Sequence, residues 1–309
     1  MTSRSRLVNI DIIKFVAIIL MVIDHWVIVM ADSELSIGKF VFFSFIPLVQ
    51  MGFLFSSGYL MGYSYKDEKK NKYIGRGILF LLLFLIMTWS AGETIAGSLS
   101  ILLNFSLSTL IAVIFLSRRD YKGLAILTAV LFVATMLMQF FNYFGSTALD
   151  GILANYSYPV NSFSIYFFLG ILLYRYQKNL QLWFSETSAH FVIAFLLIFY
   201  PLIFSIGIKI NIHNSYLHLP LLIVSSAIIG FYFFYKLADV KMWPPLYYVA
   251  LKLAQALLYI YVIHYIVLFG IIEKLDMAWW EVGVTLIVTI IFSIKLQELV
   301  KNFFRKSYI

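Results

Sequence analysis

The chain has 309 residues, of which 62% are hydrophobic and only 12% are charged. Soluble domains carry about 25% charged residues, so the composition excludes an ordinary soluble protein and indicates an all-α integral membrane protein. Cysteine is absent, which excludes a disulfide framework, a thiol nucleophile and a thiolate metal site. The net charge of +8 is explained by cations that orient a membrane protein, or alternatively by anionic partners; a nucleic-acid partner is not predicted.

Apolar stretches of membrane-spanning character recur along the whole chain. We predict ten, near residues 9–30, 40–64, 77–91, 98–116, 123–140, 159–174, 190–207, 217–235, 254–272 and 279–297. The third is short, and the residues around Gly92, Glu93 and Gly97 form either a loop or a re-entrant, broken segment. Internal repeats and linkers are not found, so residues 1–309 are interpreted as one membrane domain.

The basic residues predict the orientation of these helices. With ten spans, 20 of the 23 lysines and arginines fall on the side of the N-terminus, and Lys39, Lys209 and Lys274 fall on the other. Because cytoplasmic loops are enriched in lysine and arginine, both termini are predicted to be cytoplasmic. The opening residues MTSRSRL are interpreted as a retained cytoplasmic tail, since Asp11 and Lys14 follow too soon for a signal peptide.

The first span, from Asn9 to Trp26, carries Asp11, Lys14 and His25, residues that each cost about 2.5–3.5 kcal/mol at a bilayer centre. Lys14 and His25 are eleven positions apart, so they lie within about 20° of each other around the helix and about 16 Å apart along it. Asp11 shares this face. The spacing favours a polar cavity or a catalytic face, and a structural histidine near the membrane interface is the alternative.

Two neighbouring segments carry further candidate residues. In the second span, the small residues Ser57, Gly58 and Gly62 predict either close helix packing or room for a thin ligand chain. The stretch from Lys66 to Arg76, KDEKKNKYIGR, is either a topology anchor or a set of cations for the phosphates of a cytosolic ligand.

In the ninth span, Tyr261 and His264 lie on one helical face at i, i+3 spacing. They are either part of a functional site or part of an aromatic packing face. His213 and His218 lie in a predicted outer loop without the i, i+4 spacing of a helical metal site, so no metal centre is predicted. Phosphate-binding and dinucleotide-binding glycine motifs are not found in the sequence.

Five motifs together resemble the acyltransferase-three family of integral membrane acyltransferases. The spacing Lys14-x10-His25 resembles the basic-x10-His motif of its first helix, and similar runs occur in pilin acetylases and heparan-glucosaminide acetyltransferases of the same broad group. The other four are the segment Phe53–Leu60 with Ser57-Gly58-Tyr59, the basic pair Lys72 and Arg76, the run Tyr166-Phe167-Phe168-Leu169-Gly170, and Tyr261-x-x-His264. The likeness extends over nearly the whole chain.

The resemblance implies transfer of an acyl group, usually acetyl, from cytosolic acetyl-CoA or another acyl-CoA. The acyl-CoA is a donor substrate, and a permanently bound cofactor is not expected. The acceptor is typically a hydroxyl or amine of an envelope glycan or lipid-linked sugar. The expected location is the plasma membrane, with several helices crossing the lipid bilayer. The protein could also assemble as a homo-oligomer.

On this interpretation each candidate residue has a role. The phosphates of the donor lie among Lys14, Lys72 and Arg76, and its pantetheine arm passes Ser57 and Gly58. His25 is the general base, which typically contributes about 10²–10⁴-fold to the rate, with either direct transfer or an acyl-histidine intermediate. Asp11, Tyr261 and His264 position the substrate.

Two other classes compete with the enzyme. A transporter or flippase would use the face of Asp11, Lys14 and His25 as a proton or substrate relay. An inverted repeat between halves would favour a transporter, and none is found in the sequence. A structural partner in an envelope complex is the third interpretation.

Overall fold

A computed structural model describes residues 8–30, 46–90, 100–140, 160–184, 187–210, 220–238, 243–267, 272, 275 and 277–306. Within these residues the chain forms ten α-helices, and a short 3-10 helix (Asp67–Lys69) joins the second to the third. The α-helices are α1 (Val8–Met30), α2 (Ile46–Ser64), α3 (Lys70–Ser90), α4 (Ser100–Ser117), α5 (Tyr121–Phe140), α6 (Val160–Phe184), α7 (Thr187–Ile210), α8 (Pro220–Ala238), α9 (Pro244–Tyr265) and α10 (Trp279–Lys306). The prediction of an all-helical protein with ten helices is therefore confirmed for the described residues.

Two helix starts differ from the prediction by seven residues or more, and α6 and α10 end at residues 184 and 306 instead of 174 and 297. α3 begins at Lys70 instead of residue 77, so Lys72 and Arg76 lie within its first two turns and not before it. α9 begins at Pro244 instead of residue 254, with proline in its first turn, where the missing backbone N–H costs nothing. The first turns of α3, KNKYIGR, are polar and hydropathy does not detect them. The first turns of α9, PPLYYVALKL, are largely apolar but contain two prolines and Lys252.

Several predictions concern residues outside the described ranges. These are the break around Gly92, Glu93 and Gly97, the histidines at 213 and 218, and both chain termini. The predicted orientation stays a prediction.

Two of the described helices are long and apolar enough to cross a membrane, over Pro244–Tyr265 and Trp279–Asn302. Four shorter apolar helical stretches lie at Ile101–Ser117, Tyr121–Leu137, Ala189–Phe199 and Ile223–Phe234. The crossing of a membrane by all ten helices stays a prediction.

Apolar side chains cover the outward faces of several helices. On α10 they recur every three or four residues, at Val284, Ile287, Val288, Ile291 and Phe292. On α7 the same spacing exposes Phe191, Phe195, Ile198 and Leu202. Monomeric soluble proteins rarely expose continuous apolar stripes of this length, and the stripes agree with helices that face lipid.

The contacts divide the chain into two compact units. The first unit contains α1, the first residues of α2 up to Val49, and α9 and α10. The second contains the rest of α2 from Gln50 through α8 to Tyr235. The interpretation of the whole chain as one domain stays a prediction.

Two contacts set the helix directions in the first unit. Trp26, near the end of α1, stacks on Trp279 at the start of α10. Lys252, in the first half of α9, pairs with Glu298 near the end of α10. α1 and α9 both run antiparallel to α10 and therefore parallel to each other. Helices that alternate in direction along the chain would give the same result, because α1 and α9 are both odd-numbered.

In the second unit, a tight turn joins α4 to α5. The Asp120 N–H donates to the Phe115 carbonyl at 2.9 Å and the Arg119 N–H to the Leu116 carbonyl at 3.1 Å, the Schellman pattern of a helix C-terminus. Arg119 has a φ of 55°, a conformation that favours glycine. Asp120 then caps α5 by accepting the Gly123 N–H at 2.8 Å.

Candidate functional site

Much of α1 is buried within the first unit, including part of its polar face. Asp11 is only 8% exposed, Ile18 and Met21 on the same face are buried, and Val16 on the opposite side is 45% exposed. Lys14 is half-buried. Asn9 and Ile12, on the other side of α1, are buried too, so burial does not single out this face, and the predicted polar cavity stays a prediction.

The helix is unbroken between Lys14 and His25. Because α1 is helical from Val8 to Met30, positions 14 and 25 are about 16 Å apart along the axis and within about 20° around it. The backbone therefore has the geometry on which the Lys14-x10-His25 interpretation depends.

Trp26 follows His25 and is turned toward α10. Its indole stacks on Trp279 with the ring centroids 6.4 Å apart, and a Cβ added at Gly283 would lie 3.7 Å from the indole. The indole Nε1 is buried and has no hydrogen-bond partner in the described structure. Sequence reasoning did not identify Trp26, although its position beside the predicted base was a usable signal.

His264 on α9 is fully buried, and its ring lies 5.8 Å from that of Tyr261, as the i, i+3 spacing predicts. Its Nδ1 is 2.7 Å from the Ile260 carbonyl oxygen. A carbonyl can only accept a hydrogen bond, so Nδ1 carries a proton. In the neutral ring Nε2 is then the nitrogen with the lone pair, and it can accept a hydrogen bond.

The depth of His264 follows from the helix directions. Counting about 1.5 Å per residue from the Trp26–Trp279 and Lys252–Glu298 contacts, His264 lies roughly midway in depth between Lys14 and His25. α1 packs directly on α9. The structure therefore brings Asp11, Lys14 and His25 of α1 and Tyr261 and His264 of α9 into one three-helix unit.

An ion cluster that sequence reasoning did not identify joins α9 to α10. Lys252 pairs with Glu298, which also lies 3.6 Å from Lys295. The Lys252 ammonium lies 5.4 Å from the centroid of the Tyr248 ring. Lys252 and Glu298 are 46 positions apart in the sequence, so no local pattern indicates the pair.

In the second unit, Gly58 of α2 lies directly against α6. A Cβ at Gly58 would overlap the Phe167 carbonyl oxygen, and a Cβ at Gly170 of α6 would overlap the Phe55 carbonyl oxygen. The Tyr59 hydroxyl donates to the Gln177 Oε1 at 2.8 Å across the same two helices. Close packing, one of the two interpretations of this segment, is what the structure shows at Gly58. A role of Ser57 and Gly58 beside the donor stays a prediction.

The basic pair Lys72 and Arg76 is exposed at the start of α3. The Arg76 guanidinium lies 5.6 Å from the centroid of the Tyr73 ring. Tyr73 is buried and holds this turn to the end of α2, because Ser64 donates to the Leu60 carbonyl at 2.6 Å and is 2.5 Å from the Tyr73 hydroxyl. Both cations are therefore solvent-accessible on an anchored turn.

The sequence model of a family of acyltransferase domains, acyltransferase-three, matches residues 88–297. The match covers 210 of the 309 residues. The chain belongs to the acyltransferase-three family. No curated protein and no solved structure matches the chain significantly.

Membership in the acyltransferase-three family makes the chain a membrane acyltransferase in general terms. The matched residues include the Tyr166–Gly170 run on α6 and the Tyr261 and His264 pair on α9. They begin near the end of α3, so the Lys14–His25 and Phe53–Leu60 motifs precede them. The roles assigned to individual site residues stay predictions.

Proposed function

We propose that this acyltransferase-three protein is a multi-pass enzyme of the plasma membrane. It transfers an acyl group, most simply acetyl, from cytosolic acyl-CoA to a hydroxyl or amine of an envelope glycan or lipid-linked sugar. The packing of α1, in which Asp11 is buried, against the helix that carries His264 is the observation that carries the proposal. Family membership favours an acyltransferase over the transporter alternative.

The proposed reaction is a single acyl transfer. His25 accepts the proton of the acceptor hydroxyl or amine as that atom attacks the thioester carbonyl carbon. The new C–O or C–N bond forms, the C–S bond breaks, and the leaving thiolate of coenzyme A takes a proton from the imidazolium. His25 thus returns to its neutral form after each turnover.

The other residues bind and orient the substrates. The exposed cations Lys72 and Arg76 and the half-buried Lys14 bind the phosphates of the donor, since guanidinium and ammonium groups suit phosphate oxygens. His264 holds its Nδ1 proton on the Ile260 carbonyl, which fixes the ring, and it positions the substrate. Asp11 and Tyr261 position the substrate.

The test uses membranes from the cell in which the chain is native, supplied with [¹⁴C]acetyl-CoA. We expect label to enter the envelope glycan fraction with the wild-type chain and not with His25→Gln, because an amide can hydrogen-bond but cannot take up the proton. His264→Gln is expected to lose less than His25→Gln, since a positioning residue does not accept the proton. Equal labelling by well-expressed wild type and His25→Gln would refute the catalytic assignment.

A parallel measurement uses the absence of cysteine. A thiol reagent added to the purified protein can react only with released coenzyme A, since the chain has no thiol of its own. Acceptor-dependent release by the wild type would exclude a passive transporter.

A further inference from the structure

The turn that joins α2 to α3 presents an excess of positive charge to solvent. From Lys66 to Arg76 the chain has four lysines and one arginine against two carboxylates, and Lys66, Lys70, Lys72 and Arg76 are exposed. Charge alone is enough for a topology anchor. A binding site at this turn needs a defined geometry as well.

Arg76 has such a geometry, because its guanidinium lies over the ring of Tyr73, 5.6 Å from the ring centroid. Tyr73 is buried, and its hydroxyl is 2.5 Å from the Ser64 hydroxyl at the end of α2. The Tyr73 ring also lies 5.7 Å from the ring of Tyr65, at an angle of 31° between the ring planes. These contacts fix the ring on which the guanidinium rests, while Arg76 itself is open to solvent.

A guanidinium can bind two different parts of one ligand, because it has an edge of N–H donors and two flat faces. The edge donates to phosphate oxygens, and Lys72, one helical turn earlier at i−4, adds a second cation on the same side of α3. A flat face stacks on a planar ring such as a nucleobase. The Tyr73 ring covers one side of the Arg76 guanidinium, and the exposure of Arg76 leaves room for a planar ring on the other.

The nucleotide end of an acyl-CoA has the matching chemistry, since it joins a purine base to phosphates through one ribose. We propose that the turn from Lys70 to Arg76 is the nucleotide subsite of the donor. The adenine base stacks on the Arg76 guanidinium, and the phosphates lie between Lys72 and the N–H edge of Arg76. The inference rests on the proposed acyl transfer and adds recognition of the base to it.

A second arginine and tyrosine pair in the same unit provides a matched control. The Arg175 guanidinium lies 5.3 Å from the centroid of the Tyr121 ring, and Arg175 is exposed. Tyr121, unlike Tyr73, is only half-buried. Arg175 lies outside the proposed subsite, so its substitution should not change recognition of the base.

The test separates the base from the phosphates. Purified full-length protein in nanodiscs of uncharged phosphatidylcholine is loaded with [³H]coenzyme A. The label is then displaced either by adenosine 3′,5′-bisphosphate or by methyl riboside 3,5-bisphosphate, which has the same phosphates but no base. We expect the wild type to bind the adenosine compound about 5–150-fold more tightly, the range for one stacked base. Arg76→Lys keeps a charge for the phosphates but loses the flat face, so it should remove most of this preference.

Arg175→Lys should keep the full preference, and the Tm of ligand-free Arg76→Lys should equal that of the wild type because the position is exposed. A preference that survives in Arg76→Lys would overturn the role of Arg76. Equal affinity of the wild type for the two competitors would overturn the subsite and leave the turn as a charged anchor for topology or anionic lipid.

These measurements do not depend on turnover, so the two proposals can fail separately. Base recognition through Arg76 in a protein that transfers no acetyl group would retain the subsite and refute the proposed function. Acetyl transfer without a preference for the base would do the reverse. A wild-type protein that binds no coenzyme A would overturn both.

Discussion

Gly58 of α2 and the backbone carbonyl of Phe167 on α6 are in direct contact, at a distance that leaves no room for a Cβ. Gly170 makes the reciprocal contact with the Phe55 carbonyl. The two glycines therefore determine how closely α2 and α6 approach within the second unit. Small residues at such a contact let two membrane helices pack backbone to backbone.

The first prediction follows from this contact. Gly58→Ala forces α2 and α6 apart, because the obstacle is backbone and not a flexible side chain, and it should destabilise the protein by about 1–3 kcal/mol. Gly75→Ala on α3 is the matched control, since nothing lies within 4 Å of a Cβ there. It should leave stability unchanged or raise it by about 0.5–1 kcal/mol, the helical advantage of alanine. Tm measurements in detergent distinguish the two, and equal Tm values would contradict the proposed contact.

The second prediction concerns Lys14. Lys14→Ala should raise the KM for acyl-CoA by about 10–100-fold, corresponding to a lost charged hydrogen bond of about 1.5–3 kcal/mol, with a smaller change in kcat. Lys14→Arg should retain most of the activity because the charge and the reach survive. Lys295→Ala removes an exposed cation outside the proposed site and should leave KM unchanged. A normal KM in Lys14→Ala would show that Lys14 does not bind the donor.

The third prediction concerns the turn between α4 and α5. Arg119 adopts a φ of 55°, which costs a residue with a Cβ about 1–2 kcal/mol relative to glycine. Arg119→Gly should therefore stabilise the protein by about 1 kcal/mol, after allowance for the greater chain entropy of glycine in the unfolded state. Arg119→Lys keeps the charge and the Cβ and should have no effect on Tm. A lower Tm for Arg119→Gly would indicate that the arginine side chain contributes more than its backbone strain costs.

The fourth prediction concerns orientation. Ser3→Cys and Tyr308→Cys introduce single thiols into a chain that has none, and both should react with an impermeant reagent only after the cells are permeabilised. Lys209→Cys is predicted to lie on the outer side and should react in intact cells. Labelling of position 3 or 308 in intact cells would refute the predicted topology.

Much of the fold was predictable because a membrane helix has a simple sequence signature. A long apolar run forms a helix wherever backbone groups must be satisfied without water, so the number and order of the ten helices followed from hydropathy. The contact of Tyr261 with His264 followed from i, i+3 geometry. The start of α3 was misplaced because its first turns are polar, and that of α9 because two prolines and Lys252 interrupt an otherwise apolar run.

Contacts between distant residues depended on the tertiary structure. Lys252 pairs with Glu298 and Trp26 stacks on Trp279 only because α1, α9 and α10 pack together in the first unit. The same holds for Gly58 against Phe167, where the sequence favoured packing but left ligand passage open. Helix formation is governed by short-range spacing, which a sequence displays directly. Which helices contact each other depends on how their side chains fit together. For this reason only the tertiary structure shows that the Trp26 Nε1 is buried and has no hydrogen-bond partner among the described residues.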